Sequence, residues 1–404
     1  MVTENKFLPQ LETLLTGPIR QEPAFSNAEY RQRVDRVVAA MKKRRFDVLV
    51  TGNNPSICYL TGFQYTNTDY VNFLLLRSDG HGAMVVAGTE VATVVVHGWI
   101  RDVKEFPSWD PIESIPLVAL YIKEWKLTEG RIGLDQRFEV LDPRADRGFR
   151  NGLPNATFSD ASEIIIASRA TKSPAEIAHL RKAAHYSDIG MLAGISAIQP
   201  GETDNDVAAA ASDAMILAGS EYFSTAPMVA AGKRTGLPHA MFKRSRIAAG
   251  DPVTIELAGA FQRYSAPLSR TVPPAKPPGQ FKRLAELSLD CLGTLIRRVE
   301  PGRPIGDAAK SVRRKLRALD GVIAPIPSLG YSIGVGLAPS WKEDWLPIDE
   351  TNTRRFETGM AFYSPIRLCI PGKFGACFGE SWVVTKDGAE RLSHLPMEPW
   401  EAVR

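Results

Sequence analysis

Residues 250–272 read GDPVTIELAGAFQRYSAPLSRTV, and they decide the fold class of the C-terminal half of the chain. The apolar residues of VTIELAG predict a buried strand that contains Glu256. The residues after it predict a second strand, paired with the first in a hairpin. A carboxylate in such a strand is costly unless a cation is paired with it. The sequence therefore predicts a cationic partner for Glu256: Arg263 or Arg270 across the hairpin, or a bound ligand.

The sequence around this hairpin predicts helices and further strands. Ser173 and Pro174, with Glu176 behind them, are typical of a helix start, and Pro200 with Gly201 ends the helix that follows. A second helix is predicted to begin at Thr203. Downstream, the predicted helices cover residues 281–300 and 305–320, and the predicted strands cover 361–368 and 382–385.

Upstream of residue 171 the pattern differs, because short apolar runs alternate with helical segments. Ser26 and Glu29 form a capping box that predicts the first helix. Apolar runs predict strands at residues 46–52, 72–80, 82–88 and 131–135, whereas 92–100 fits a strand or a helix. This alternation is typical of an α/β domain. We therefore predict an α/β N-terminal domain over residues 1–170 and a second domain over 171–404.

Composition narrows the class of protein. The chain has 404 residues, 44% of them hydrophobic and 23% charged, which is enough to form two packed domains and excludes wholesale disorder. A net charge of +4 is too weak to argue for nucleic acid or membrane as a partner. The N-terminus lacks the basic and apolar regions of a secretory signal. The four cysteines contain no CxxC pair, so we expect reduced thiols and a cytoplasmic protein.

Several stretches together resemble the creatinase/prolidase ("pita-bread") superfamily, and they occur along nearly the whole chain in the expected order. This resemblance implies an α+β pita-bread fold for the C-terminal domain and a creatinase-like N-terminal domain. The stretches are SICYLTGF at 56–63, KSPAEIAHLRKAA at 172–184, the hairpin at 250–272, LGYSIGVG at 329–336, GMAFYSPIRLCIPGKFG at 359–375 and CFGESWVVTKDGAERLS at 377–393.

The resemblance also implies where metal ligands would lie. Metallopeptidases of this superfamily bind two metals through Asp, Asp, His, Glu and Glu. The matching positions here are Glu256, Pro267, Tyr331, Pro365 and Gly379, the last followed by Glu380. Proline and glycine have no ligating side chain, and a divalent metal needs several converging donors. The resemblance therefore implies a metal-free branch, closest to the ectoine hydrolases, with no metal and no cofactor.

Four residues are candidates for catalysis. His239 matches the catalytic histidine of creatinases, and an imidazole can take a proton from water and return it. Glu256 could hold a planar N–C–N cation by two hydrogen bonds or attack it as a nucleophile. Tyr331 could donate to a substrate oxygen, and Glu380 could share the pocket as a second carboxylate. The structural alternatives are a loop histidine, a paired buried glutamate, a half-buried aromatic residue and an exposed edge-strand glutamate.

Other residues are candidates for substrate binding. Arginines can pair with a substrate carboxylate, and a tryptophan face suits a cationic substrate. Creatinase-like enzymes are dimers in which the partner's N-terminal domain closes the site. The resemblance therefore implies a homodimer, with two tyrosines after the YLTGF turn reaching across the interface. The candidates are Arg263, Arg270, Arg367, Trp341, Tyr65 and Tyr70.

Together these features predict a hydrolase that acts without metal on a non-peptide C–N bond. The predicted substrate is a small zwitterion, either a cyclic amidine, as for ectoine hydrolase, or a guanidino compound. Two alternatives remain open at this stage: a prolidase-type metallopeptidase and an inactive pita-bread domain retained as a binding module.

Overall fold

The computed structural model describes residues 23–64, 71–106, 113–136, 143–272, 276–343 and 345–398. The chain divides into two compact units, residues 1–169 and 170–404. Tyr65 and Tyr70 lie outside the described residues. No described helix is long and apolar enough to span a bilayer.

The N-terminal unit is an α/β domain, as the alternating pattern predicts. Its strands form one mixed sheet in the order β4-β3-β2-β1-β5-β6. Residues 92–100, which fit a strand or a helix, fall mostly in a helix. The strands are β1 (Val48–Thr51), β2 (Phe73–Arg77), β3 (Gly82–Ala87), β4 (Asp102–Phe106), β5 (Arg131–Leu134) and β6 (Thr157–Asp160). The helices are α1 (Asn27–Arg44), α2 (Asn54–Thr61), α3 (Val91–His97), α4 (Ser114–Glu124), α5 (Pro143–Gly152) and α6 (Ser162–Ala170).

The C-terminal unit has the pita-bread fold, in which helices pack on one face of a large antiparallel sheet. The main path of that sheet is β11-β10-β12-β13-β9-β8-β7, and β14 pairs with β13. The helices are α7 (Pro174–Ser196), α8 (Asp204–Leu217), α9 (Gly279–Arg297) and α10 (Ile305–Leu316). The strands are β7 (Met228–Ala231), β8 (Val253–Phe261), β9 (Tyr264–Val272), β10 (Tyr331–Leu337), β11 (Ser340–Glu343), β12 (Ala361–Ile370), β13 (Phe374–Thr385) and β14 (Gly388–Arg391).

Both predicted helix starts are confirmed, but the capping box predicted for Ser26 and Glu29 is only half formed, because the Glu29 carboxylate pairs with Arg33. Ser26 caps α1, and Ser173 and Glu176 form a reciprocal capping box at the start of α7. The strand β13 is longer than predicted, since it begins at Phe374 and not near Trp382. Strand β12 pairs with β13 over the full length of β12, which makes this hairpin the centre of the sheet.

Side chains on the two faces of this sheet have different partners. Ile255 and Leu268 pack with apolar residues of α7 and α8. Phe362 and Trp382 stack with ring centroids 4.7 Å apart. They belong to the apolar cluster that also contains residues of α9 and α10. We call this side the helix face. Successive residues of a strand point to opposite faces, so the neighbours of these residues point to the other side, which we call the site face.

Candidate active site

The strand register brings the residues of the site face together. Glu256 of β8 lies opposite Ser269 of β9, Ser269 lies opposite Gly379 of β13, and Gly379 lies opposite Pro365 of β12. Directly paired residues share a face of a sheet. This row therefore crosses four strands on the site face, and three of its residues, Glu256, Gly379 and Pro365, hold positions at which the resemblance implies metal ligands.

A cavity of about 410 Å³ lies on the site face, within the usual size range of small-molecule sites. It lies wholly within the C-terminal unit. Residues from β8, β10, β11, β12 and the loop after β7 converge on it. Its chemically relevant lining is His239, Glu256, Tyr331, Trp341, Lys342 and Arg367.

Glu256 is 2% exposed and has two partners inside the protein. The Tyr363 hydroxyl donates to its Oε1 at 2.8 Å, and the Arg367 guanidinium donates to its Oε2. The cation that its burial demands is therefore Arg367, and not Arg263 or Arg270 as the hairpin suggests. Burial raises the pKa of the Tyr363 hydroxyl well above its ordinary value, with Cys377 the next cause, so that hydroxyl stays protonated as a donor.

Tyr331 and Trp341 form the aromatic side of the cavity. The Trp341 indole donates to the Tyr331 hydroxyl at 2.9 Å, which orients that hydroxyl. Tyr331 lies opposite Tyr363 in the β10–β12 register, and their rings meet edge to face at 5.8 Å. Lys342, which is exposed, places its ammonium 5.6 Å from the Tyr331 ring centroid. The site thus combines aromatic faces with cationic groups near its mouth.

His239 reaches the cavity from the loop between β7 and β8. Its backbone is left-handed, with φ of +58°, a conformation that costs an L residue roughly 1–2 kcal/mol. Burial lowers the pKa of the imidazole below its ordinary value of 6.5, and the charge of Arg367 lowers it further. The imidazole is therefore neutral near pH 7 and able to accept a proton.

Glu380 does not share the cavity with Glu256. It follows Gly379 in β13, so its side chain points to the helix face. There it is fully buried and accepts hydrogen bonds from Arg270 and, at 3.3 Å, from Arg391. Burial raises the pKa of this carboxyl and outweighs the opposing charges of the two arginines. Glu380 and Arg270 form an internal ion pair away from the cavity.

Arg263 also lies away from the cavity. It occupies the tight turn between β8 and β9, where its φ is +66°, and its side chain is fully buried. Its guanidinium bonds to Glu221 and to the carbonyl of Tyr222, and it stacks 3.5 Å from the Tyr222 ring centroid. These contacts use Arg263 to close the hairpin turn. Of the three predicted arginines, the structure brings only Arg367 to the cavity among its described residues.

Sequence reasoning missed Tyr363, Lys342 and Cys369. Tyr363 and Cys369 are an even number of residues from Arg367 in β12, so all three side chains point to the same face of the sheet. The Cys369 thiol also lines the cavity, and burial raises its pKa to about 11, so it remains protonated. No sequence signal marks Lys342.

Comparison with known proteins now identifies the family. Residues 178–386 match the model of metallopeptidase family M24, and residues 33–171 match the creatinase/prolidase N-terminal domain. The chain belongs to metallopeptidase family M24. An uncharacterised hydrolase/peptidase of Sinorhizobium fredii is 30% identical over 386 residues, covering 93% of this chain and 97% of that protein. The ectoine hydrolase of Halomonas elongata is 26% identical over 397 residues, with the same coverage.

Solved structures agree on the fold. The X-Pro aminopeptidase of Thermotoga maritima superposes with a TM-score of 0.80 at 18% identity, covering 91% of this chain and 99% of that one. The creatinase/prolidase resemblance is therefore confirmed at the level of family and fold, and the family is one of hydrolases.

The residues at the M24 metal positions do not fit a two-metal centre. Glu256 is already paired, and the remaining positions hold proline, tyrosine and glycine. A Cβ added at Gly379 would lie 2.5 Å from the Ser269 hydroxyl and 2.8 Å from the Tyr363 hydroxyl, so these side chains fill the space of the last glutamate. Within the described ranges, no three His, Cys, Asp or Glu side chains cluster closely enough to hold a metal ion.

The Arg270–Glu380 pair should contribute to stability and not to catalysis. Arg270→Met leaves the buried carboxylate with only its longer bond to Arg391, so we expect the free energy of unfolding to fall by about 3–5 kcal/mol. The matched control is Arg181→Met, which breaks the exposed Arg181–Glu390 pair and should cost less than about 1 kcal/mol. Urea titration of both variants measures the difference. Equal, small losses would contradict the structural role of Glu380.

Proposed function

We propose that this protein is a metal-independent hydrolase of a non-peptide C–N bond in a small zwitterion, either a cyclic amidine or a guanidino compound. The observation that carries the proposal is the lining of the cavity. A neutral histidine, a buried carboxylate and an oriented tyrosine surround it, while proline and glycine stand at three of the five metal positions. Similarity to the ectoine hydrolase of Halomonas elongata supports the cyclic amidine as the first substrate class to test.

The Glu256–Arg367 pair supports a zwitterionic substrate. A zwitterion can exchange this internal pair for two new ones: its planar cation replaces Arg367 at Glu256, and its carboxylate replaces Glu256 at Arg367. Both protein charges then keep a partner of opposite sign, so neither is left buried and unpaired. A substrate with a cation alone would leave Arg367 without its carboxylate.

The chemistry follows from the positions of three side chains. His239 takes a proton from water, and the hydroxide oxygen forms a bond to the central carbon of the N–C–N group. Tyr331 donates to the tetrahedral intermediate, while Glu256 holds the nitrogens. The C–N bond then breaks, and the proton on His239 passes to the departing nitrogen. Water is the only co-reactant.

Two further inferences accompany this proposal. The family resemblance supports a homodimer whose N-terminal domain completes the partner's site, with Tyr65 and Tyr70 as contact residues. All four cysteines are buried free thiols, which supports a reducing cytoplasmic location.

Substrate charge provides the first test. Glu256→Gln keeps the size of the side chain but loses its charge and one acceptor. We expect kcat/KM for a cyclic amidino acid to fall by a factor equivalent to roughly 2–5 kcal/mol. Glu380→Gln is the matched control, since it is also a buried glutamate paired with an arginine, and it should change kcat/KM only a few-fold. Esterifying the substrate carboxylate should weaken binding to the parent protein.

The opposite ranking of these two variants would contradict the assigned roles. So would equal turnover of the ester and the free acid. Guanidino acids and Xaa-Pro dipeptides belong in the same screen, since cleavage of dipeptides alone would replace the proposed function with a peptidase.

The pH dependence of turnover tests the role of His239. Because its pKa lies below 6.5, the imidazole is neutral and active above that value and becomes protonated as the pH falls through it. We expect kcat/KM to be full near neutrality and to decline on the acid side, with a midpoint below 6.5. His239→Ala should remove this acid limb and lower turnover by about 10²–10⁴-fold. Near-normal turnover with the limb intact would exclude His239 as the base.

A further inference from the structure

The loop that carries His239 is tied to the body of the C-terminal unit on both sides. Arg234 lies just before the loop, in a short 3-10 helix that spans Gly232–Gly236. Its guanidinium donates to Asp204 at 2.5 Å, to the Ser245 hydroxyl at 2.6 Å and to the carbonyl of Met241. One side chain therefore bridges the start of the loop, its middle and its end.

Asp204 is the anchor of this bridge. It is the first residue of α8, and its side chain is completely buried. Its Oδ2 accepts from Arg234, while its Oδ1 accepts the backbone N–H groups of Lys243 at 3.0 Å and Ser245 at 2.8 Å. A carboxylate at a helix N-terminus is also favoured by the helix dipole. Asp204 thus joins both arms of the loop to a helix.

The loop needs such an anchor because it has little packing of its own, and its other ties, from Asn205 to Arg244 and from Thr203 to Arg246, lie only at its far end. It lacks helix or strand structure between residues 237 and 246. Leu237 is 49% exposed and Met241 is 38% exposed, so neither is buried in the core. His239 and Arg244 both have left-handed backbones, which persist only where the surroundings impose them.

We propose that Asp204 and Arg234 are positioning residues that hold the imidazole of His239 at the cavity. They touch neither the cavity nor a reacting group, and they act through the loop. The effect of these two residues on catalysis rests on the proposed function. Their effect on the position of His239 does not.

The test follows the environment of His239 directly. His239 is one of six histidines, so its ring C–H signal can be assigned in an NMR spectrum by its loss in His239→Ala. Asp204→Asn keeps only one acceptor oxygen for the three N–H donors that now bond to the carboxylate. Arg234→Gln removes the guanidinium that bonds to Asp204, Ser245 and Met241. If either change releases the loop, the imidazole leaves its partly desolvated position near Arg367, and its titration midpoint rises toward 6.5.

The control is Asp206→Asn in the same first turn of α8. Asp206 is exposed, and its carboxylate bonds to Thr203 at the start of α8, whereas Asp204 bonds to the His239 loop. It should leave the His239 midpoint unchanged. Other charged or titratable groups that face the cavity are Glu256, Arg367, Lys342, Tyr331 and Cys369, and neither test variant alters them. An unchanged His239 midpoint in folded Asp204→Asn and folded Arg234→Gln would overturn the inference.

Activity provides a second, separable measurement. The two positioning variants should lower kcat tenfold or more with little change in KM, and Arg234→Lys should recover part of the loss. A double variant with His239→Ala should be no worse than His239→Ala alone. Full additivity would overturn the positioning role. If His239→Ala itself is fully active, the proposed function fails, while the NMR result still decides whether Asp204 and Arg234 position the loop.

Discussion

The guanidinium of Arg367 connects the two halves of the site. It donates to the buried carboxylate of Glu256, and its charge adds to desolvation, the larger cause, in lowering the pKa of His239. One cation therefore pairs with the carboxylate and helps to keep the base neutral. A buried carboxylate without such a partner would cost several kcal/mol, so the pairing constrains everything around it. The sheet must bring β12 beside β13, β9 and β8 in one register for Arg367 to reach Glu256.

The same register separates the two glutamates of the C-terminal unit that the sequence makes look alike. Glu256 and Glu380 both lie in apolar strands, are both buried and both pair with an arginine. They differ in the face to which they point, because Gly379 and not Glu380 lies in the row with Glu256. The site face receives Glu256 and Arg367, while the helix face receives Glu380 and Arg270. The Glu256–Arg367 pair therefore lies at the cavity, and the Glu380–Arg270 pair lies in the core.

Local features of the fold could be predicted from the sequence, and long-range pairings could not. The capping box of Ser173 and Glu176 depends on residues three apart, and the structure confirms it. The need of Glu256 for a cation also followed from its neighbours. Its actual partner, Arg367, is 111 residues away, and two closer arginines competed as candidates. Only the register of four strands decides among them.

The start of β13 is a second feature that could not be predicted from the sequence. FGACFG contains small residues that carry no strand signal, yet Gly379 is required there because the Ser269 and Tyr363 hydroxyls occupy the place of a side chain. That space is where the family resemblance places a metal-binding glutamate. The glycine that weakens the strand prediction thus replaces one of the metal ligands that the resemblance implies.

The most direct test of this account is the metal content of the purified protein, measured together with its turnover of a cyclic amidino acid before and after treatment with a chelator. The account predicts no stoichiometric metal and the same turnover in both samples. Stoichiometric zinc, manganese or iron, with activity that is lost to the chelator and restored by that metal, would contradict it.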